Sequence, residues 1–388
     1  MNFREQLLSN EALLSTFIYE RGEVIRMAYV ALLAREHVLW LGLPGTAKSM
    51  LARLMAQQFG DAVYREYLFS RQSTEADVFA HKSIPELMEG REAWLLEGHL
   101  SEGHIVFADE IFKSSGSTLN CGLGFLNERI VKGHQVPLIT CFAASNELAG
   151  DEGLEALRDR FVISHVFESL SNAETRAAFL FDRIAQRKAP ELQRLALADL
   201  FSAQEEALRV PVDDTIVDNV LRLQSTLTEA GCFVSDRTIG KSINILRAFA
   251  WLDGSDRVDL EHLHCLGHVF WNEPEQIASV VAAIATIDKG ILGDVREITD
   301  RALKNYRNFR RSVLPDGTWS DASARKLYVS RLPDLKHSLH QAAELITHKY
   351  GGRLQGDMKE RVKRYLNDLM VAYKQVVLDI DKSSRLVS

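Results

Sequence analysis

The chain has 388 residues, 46% of them apolar, with 46 Lys and Arg against 53 Asp and Glu for a net charge of −7. That length supports two or three domains with real cores, and a mildly acidic chain is not a general nucleic-acid binder. Four scattered cysteines (Cys121, Cys141, Cys232, Cys265) form no C-x-x-C pair, which argues against a zinc site or a disulfide framework. No apolar stretch has membrane-spanning length, and the N-terminus shows no basic region followed by an apolar core, so a cytoplasmic location is expected.

Val24 to Ala34 reads as a helix leading into an apolar strand, Val38 to Leu41. Gly42-Leu43-Pro44-Gly45-Thr46-Ala47-Lys48-Ser49 follows, and Met50 to Ala56 continues as a helix. Strand, tight loop and helix are the context of a phosphate-binding loop, in which backbone N–H groups at a helix N-terminus face the phosphates. Lys48 is placed to reach the outer phosphates and the Ser49 hydroxyl to ligate Mg²⁺. Ala47 stands where a second glycine is usual, which is tolerable if its φ is negative.

Tyr64 to Phe69 reads as a second strand. Between Thr74 and Gly103, Pro85, Gly90 and Gly98 flank short apolar pieces, which suggests a hairpin rather than one helix. Ile105 to Ala108 is a third strand ending in Asp109 and Glu110. A short continuous apolar run fits a strand buried on both faces, and parallel sheets bind ligands at strand C-terminal ends. Asp109 can hold Mg²⁺ through water, and Glu110 can polarise the water that attacks a γ-phosphate. A second small hairpin fits Arg129 to Val136, with Lys132-Gly133 at its turn.

Leu138 to Ala144 is a fourth strand, closed by Ser145-Asn146-Glu147. Asn146 then stands beside the two acids, either orienting water or making an ordinary turn. After a helical Glu155-Ala156, Arg160 either stabilises phosphate charge in a neighbouring subunit or pairs with Asp159 on the surface. Phe161 to Phe167 is a plausible fifth strand. From Ser171 to Trp271 the pattern is helical, with Pro211 to Asp214 as a turn and cap. Arg237, after Ser235-Asp236, either reaches back over the nucleotide or is a solvated arginine on a capped helix; the residues alone favour the second. Beyond Glu275, Ile277, Val280, Ile284, Ile287, Ile291, Val295, Ile298 and Ala302 are spaced three or four apart. Val362, Leu366, Leu369, Tyr373, Val376 and Ile380 repeat in the same way, as helix-packing seams do. Pro315-Asp316-Gly317 and Pro333 suggest a turn-rich connection between them.

Together these residues resemble the AAA+ ATPases, and more narrowly the MoxR family. The resemblance rests on the loop with Ala47, Phe107 to Ile111, Leu126 to Arg129, Ala144 to Glu147 and Asp159 to Phe161. Tyr19-Glu20-Arg21, Ser235 to Arg237 and Trp271 look most like the RavA branch, without its β-rich insertion beyond Arg311. The resemblance implies an α/β P-loop NTPase core with a parallel sheet over residues 1–170, an all-α lid over 171–274 and C-terminal helices over 275–388. It makes Gly42 to Ser49 Walker A, with Met50 next to them also binding nucleotide, Asp109 and Glu110 Walker B, Asn146 sensor 1, Arg160 the arginine finger and Arg237 sensor 2. Tyr19 falls in the segment folded against adenine. Phe112-Lys113 and Arg158 depart from the family pattern and are expected to touch no catalytic position. ATP or ADP with Mg²⁺ is the implied ligand, and a hexameric ring the implied assembly. The implied partner carries a von Willebrand factor A domain. The alternatives are a nucleotide-gated structural ring and a nucleic-acid motor; Arg301, Lys304, Arg307 and Arg310, with Tyr306 and Phe309 interleaved, weakly support the motor.

Overall fold

The computed structural model describes residues 2–113, 116–146, 157–170, 173–287, 291–313, 322–350 and 356–384. Glu147, Glu155-Ala156 and Pro315-Asp316-Gly317 lie outside these residues. The described chain forms two compact units, residues 1–169 with 190–284, and residues 170–189 with 285–388.

In the first unit, α1 (Phe3–Phe17) and α2 (Gly22–Ala34) precede β1 (Val38–Gly42) and α3 (Lys48–Gln57). Next come β2 (Tyr64–Leu68), α4 (Glu75–Val78), β3 (His81–Lys82), α5 (Ile84–Met88) and β4 (Trp94–Leu95). Then follow β5 (Ile105–Asp109), α6 (Gly116–Asn127), β6 (Ile130–Val131), β7 (His134–Gln135), β8 (Thr140–Ser145) and β9 (Ile163–Phe167). Five strands pair in parallel in the order β2-β5-β8-β1-β9. The three central strands are apolar on both faces because helices cover both, so alternation disappears there. Trp40 is the hub of this core: it stacks on Phe142 at 4.9 Å between centroids and meets Phe167 and Phe107 at 5.5 and 6.4 Å.

His37 closes the lower end of β1. Its Nε2 lies 2.7 Å from the Leu126 carbonyl, and its Nδ1 accepts from Cys141 N–H at 3.1 Å. Both ring nitrogens are thereby used by the neutral ring, with the proton on Nε2. Burial pushes its pKa down to about 3.

Both hairpins form where turn chemistry suggests. β3 pairs antiparallel with β4, and β6 with β7 across Lys132 and Gly133, which both have positive φ. Trp94 of the first hairpin has Lys82 Nζ and Lys132 Nζ at 5.3 and 4.7 Å from its ring, so the two hairpins meet at an indole. Lys132 also pairs with Glu75, at 2.5 Å. Between β3 and β4, Ile84, Leu87 and Met88 are exposed on α5.

The same unit continues through α8 (Leu197–Leu208), α9 (Asp214–Glu229), α10 (Asp236–Asp253) and α11 (Ile277–Ile287) as far as Ile284; α7 (Ala173–Ile184) groups with the second unit. Asp213 is the N-cap of α9 by position, but its side chain makes no capping hydrogen bond, contrary to the expected cap. Ser235 does cap α10, accepting from Thr238 N–H at 3.2 Å.

In the second unit, α12 (Ile291–Val313), α13 (Ala322–Tyr350) and α14 (Gly356–Ser384) share a core that includes Val295, Leu303, Leu332, Ile346, Val362, Leu369 and Val376. Val362, Leu369 and Val376 recur every seven residues, as the sequence seam suggests. Pro333 does not mark a connection: α13 runs through it. A proline inside a helix costs about 3 kcal/mol, and burial of Leu332 and Leu339 beside it opposes that cost. Tyr306 is buried in this core, so it does not stand beside Arg301 and Lys304 on an exposed face.

Candidate functional site

The phosphate loop leaves β1 at Gly42, which pairs with Phe167 of β9. Gly42 has φ +141°, and a Cβ there would lie 2.3 Å from the Phe167 carbonyl oxygen, so only glycine fits. Gly45 is also left-handed, at φ +80°. Ala47 has φ +75°, not the negative value that would make alanine comfortable. The loop needs the left-handed turn to start α3, and alanine is held there at a steric cost of about 1–2 kcal/mol.

No side chain caps α3 at Ala47, so its first-turn N–H groups keep no side-chain acceptor. Lys48 is buried and donates to the carbonyls of Gly42 and Leu43, the latter at 3.0 Å. Burial lowers its pKa, while Asp109 and Glu110 act the other way. Thr46 Oγ1 donates back to Leu43 at 2.9 Å, which braces the loop around exposed Pro44. Ser49 and Met50 open α3 half-buried. Two left-handed glycines, uncapped amides, a converging ammonium and a hydroxyl fit a polyphosphate.

Strand order explains how distant residues join this loop. β8 lies between β1 and β5, so Ser145-Asn146 emerges between the loop and the two acids. Asn146 Nδ2 donates to Glu110 Oε1 at 2.5 Å. Glu110 also has a left-handed backbone, φ +54°, and its N–H donates to Asp109 Oδ1 at 3.1 Å. A strained non-glycine residue is a feature that functional sites retain. Burial and then Glu110 raise the Asp109 pKa. Contrary to expectation, Lys113 does touch this group: its Nζ stands 3.3 Å from Glu110 Oε2. One helical turn after the acid, at i+3, is the spacing that allows it.

Tyr19 is buried beside Arg21, which donates to the Glu168 carbonyl and lies 5.0 Å over the Phe167 ring. Phe167 is the partner of Gly42, so the Tyr19 segment is tied to the strand next to the loop. Arg160 and Arg237 go elsewhere. Both bond to Asp159, Arg237 Nη1 at 2.6 Å and Arg160 Nη1 at 3.4 Å. Arg237 is therefore neither simply solvated nor bonded to the loop. The sequence offers Asp159 as a partner for Arg160 but does not link it to Ser235 and Arg237, 76 and 78 positions away.

Away from this site, Asp253, Glu261 and His262 bring their potential ligand atoms within 4.8 Å of one another. His262 Nδ1 accepts from Asp259 N–H at 2.8 Å, which leaves the proton on Nε2, and Asp253 takes Arg26 at 2.6 Å. His262 thus serves as part of the capping box of the turn that begins at Leu260.

Comparison with known proteins agrees with the geometry. The family profile matching residues 5–202 is described as the MoxR domain in the MoxR-vWA-beta-propeller ternary systems. The chain belongs to the MoxR family of AAA+ ATPases. An AAA lid domain profile matches residues 215–284. An uncharacterized protein of Methanocaldococcus jannaschii is 34% identical over 312 residues, 78% of this chain and 82% of that one. Chaperone MoxR1 of Mycobacterium tuberculosis is 26% identical over 214 residues, 53% of this MoxR chain and 55% of its own length. A crystal structure from Cytophaga hutchinsonii is similar in fold, with TM-score 0.58 and 16% identity over 74% of this chain and 94% of that one.

Proposed function

We propose that this MoxR protein hydrolyses ATP in a ring and uses the cycle to remodel or mature a partner protein. The observation that carries this reading is the Glu110 carboxylate, held by the Asn146 amide at the C-terminal ends of the adjacent inner strands β5 and β8. Lys48 binds the outer phosphates. Glu110 takes a proton from water as the water oxygen bonds to the γ-phosphorus and the bond to the bridging oxygen breaks. Ser49 and Asp109 are hard oxygen ligands suited to Mg²⁺, which supplies charge neutralisation when bound. Tyr19 lines the adenine side, Arg237 senses the subunit's own nucleotide, and Arg160 serves the neighbour's. In this reading residues 1–170, 171–274 and 275–388 act as ATPase core, lid and C-terminal attachment, and the chain sits in the RavA-like part of the family.

A partner with a von Willebrand factor A domain is the partner we infer. The matching family description names such a domain in its ternary systems, and the mycobacterial relative is named a chaperone. The test has two arms. Steady-state ATPase is measured with and without the candidate partner, and Glu110→Gln protein loaded with ATP is used to capture it. Turnover that rises with partner, and ATP-dependent capture, support the reading. Absence of ATP turnover in the wild-type protein removes it.

A further inference from the structure

Two histidines meet at the base of the first hairpin. His81 opens β3 and is exposed; His99 follows β4, half-buried, just before a 3₁₀ turn at Leu100–Glu102. His81 Nδ1 and His99 Nε2 stand 3.2 Å apart, and both residues belong to the first unit. His99 Nδ1 donates to the Glu97 carbonyl at 2.9 Å. A carbonyl only accepts, so the neutral His99 ring carries its proton on Nδ1 and leaves the Nε2 lone pair for the His81 side. Metal-binding histidines are commonly held in this way, through the ring nitrogen opposite the metal.

Two arrangements give a short N···N contact. A straight N–H···N bond lines the rings up, with centroids about 5.5 Å apart at this distance. Two imidazoles on one tetrahedral cation, bonded at about 2.0–2.1 Å, put their nitrogens about 3.3 Å and their centroids about 5 Å apart. The His81 and His99 centroids are 4.9 Å apart, with the rings inclined at 52°. That separation is the one a shared cation requires, and it is too short for the straight bond. The local charge agrees, because the Asp77 and Glu102 carboxylates lie within electrostatic range of His99.

We propose that His81 and His99 form a site for a divalent transition-metal cation of the Zn²⁺ type, which clips the base of the first hairpin. Imidazole nitrogens select such a cation over Mg²⁺, which prefers oxygen, so the site is separate from any cation at the phosphate loop. It needs no cysteine. No third His, Cys, Asp or Glu among the described residues brings a ligand atom within 4.8 Å of both nitrogens, so water completes the coordination. The clip joins residues 18 positions apart, across the segment that carries exposed Ile84, Leu87 and Met88. Bound metal holds both ends of that segment together and slows its opening.

The probe is Zn²⁺ alone, titrated calorimetrically into the full-length protein in excess Mg²⁺, which fills oxygen sites. Wild type is expected to show a Zn²⁺-binding event that weakens about tenfold or more in His81→Gln and in His99→Gln, since each removes a direct ligand. The double variant is expected to lose no more than either single one, because one cation uses both rings. Hydrogen exchange over residues 81–99 slows with Zn²⁺ in wild type and stays unchanged in the variants. Zn²⁺ affinity in either variant equal to that of wild type would overturn the site, and binding without slower exchange would overturn the clip. If a variant fails to melt cooperatively, the wild-type protein still decides. Zn²⁺ is expected to protect His81 from acylation by diethyl pyrocarbonate, read by mass spectrometry of the peptide that contains it, and unprotected His81 at saturating Zn²⁺ overturns the proposal. None of these readouts depends on ATP turnover.

Discussion

Lys48 and Glu110 lie within one site, and in the proposed reaction they meet different states. Lys48 is buried under the loop carbonyls, ready to contact ground-state phosphates, so Lys48→Ala is expected to abolish nucleotide binding. If Glu110 acts on the water as proposed, Glu110→Gln should still bind ATP but hydrolyse it about 10²–10⁴-fold more slowly. Isothermal titration and single-turnover hydrolysis check the pair, and equal loss of affinity in both would refute the division. Ala47→Gly relaxes a left-handed alanine at some cost in chain entropy, and a net gain of about 0.5 kcal/mol in a urea melt is expected. The residues that announce themselves in the sequence do so because their chemistry is local: a loop between strand and helix, or two acids ending an apolar run. The bond from Arg237 to Asp159 and that from Lys113 to Glu110 do not announce themselves, because they depend on which rotamer reaches which partner after folding.

Elements were legible in proportion to their periodicity. The buried strands β1, β5 and β8 stood out as unbroken apolar runs, and the seam of α14 as a repeat of seven. Pro333 misled because a local breaker was outweighed by packing at Leu332 and Leu339, which no window around the proline reveals. Pro333→Ala is therefore expected to stabilise the second unit, by about 1–3 kcal/mol, as read by thermal or urea unfolding. His37 makes a pH-dependent prediction at the base of β1. Its folded pKa, about 3, lies below the unfolded value of 6.5, so between these pH values the unfolded chain binds more protons. Stability from this group is full above the unfolded pKa and falls as pH drops, by about 1.4 kcal/mol at pH 5.5. His165 is pushed the same way by burial, again to about 3, and adds to the slope. Urea melts at pH 7.5 and 5.5 measure it. A His37→Gln variant with an unchanged pH slope would contradict the assignment to His37.

At the scale of the whole molecule, the expected assembly is a head-to-tail ring completed by Arg160, since a heterologous contact closes when its rotation allows. Light scattering with and without ATP should show nucleotide-promoted hexamers, whereas a monomer with full turnover would refute a shared site. If a client docks on the two hairpins of such a ring, Trp94, gripped between Lys82 and Lys132, offers a way to watch them. Trp40, Trp251 and Trp271 are buried in the core, whereas Trp94 is only half-buried. An indole between two ammonium groups changes its emission when either charge moves away. The protein thus carries its own optical probe at the junction of the hairpins, and a shift in tryptophan emission on adding client, lost in Trp94→Phe, would report their separation without any attached label.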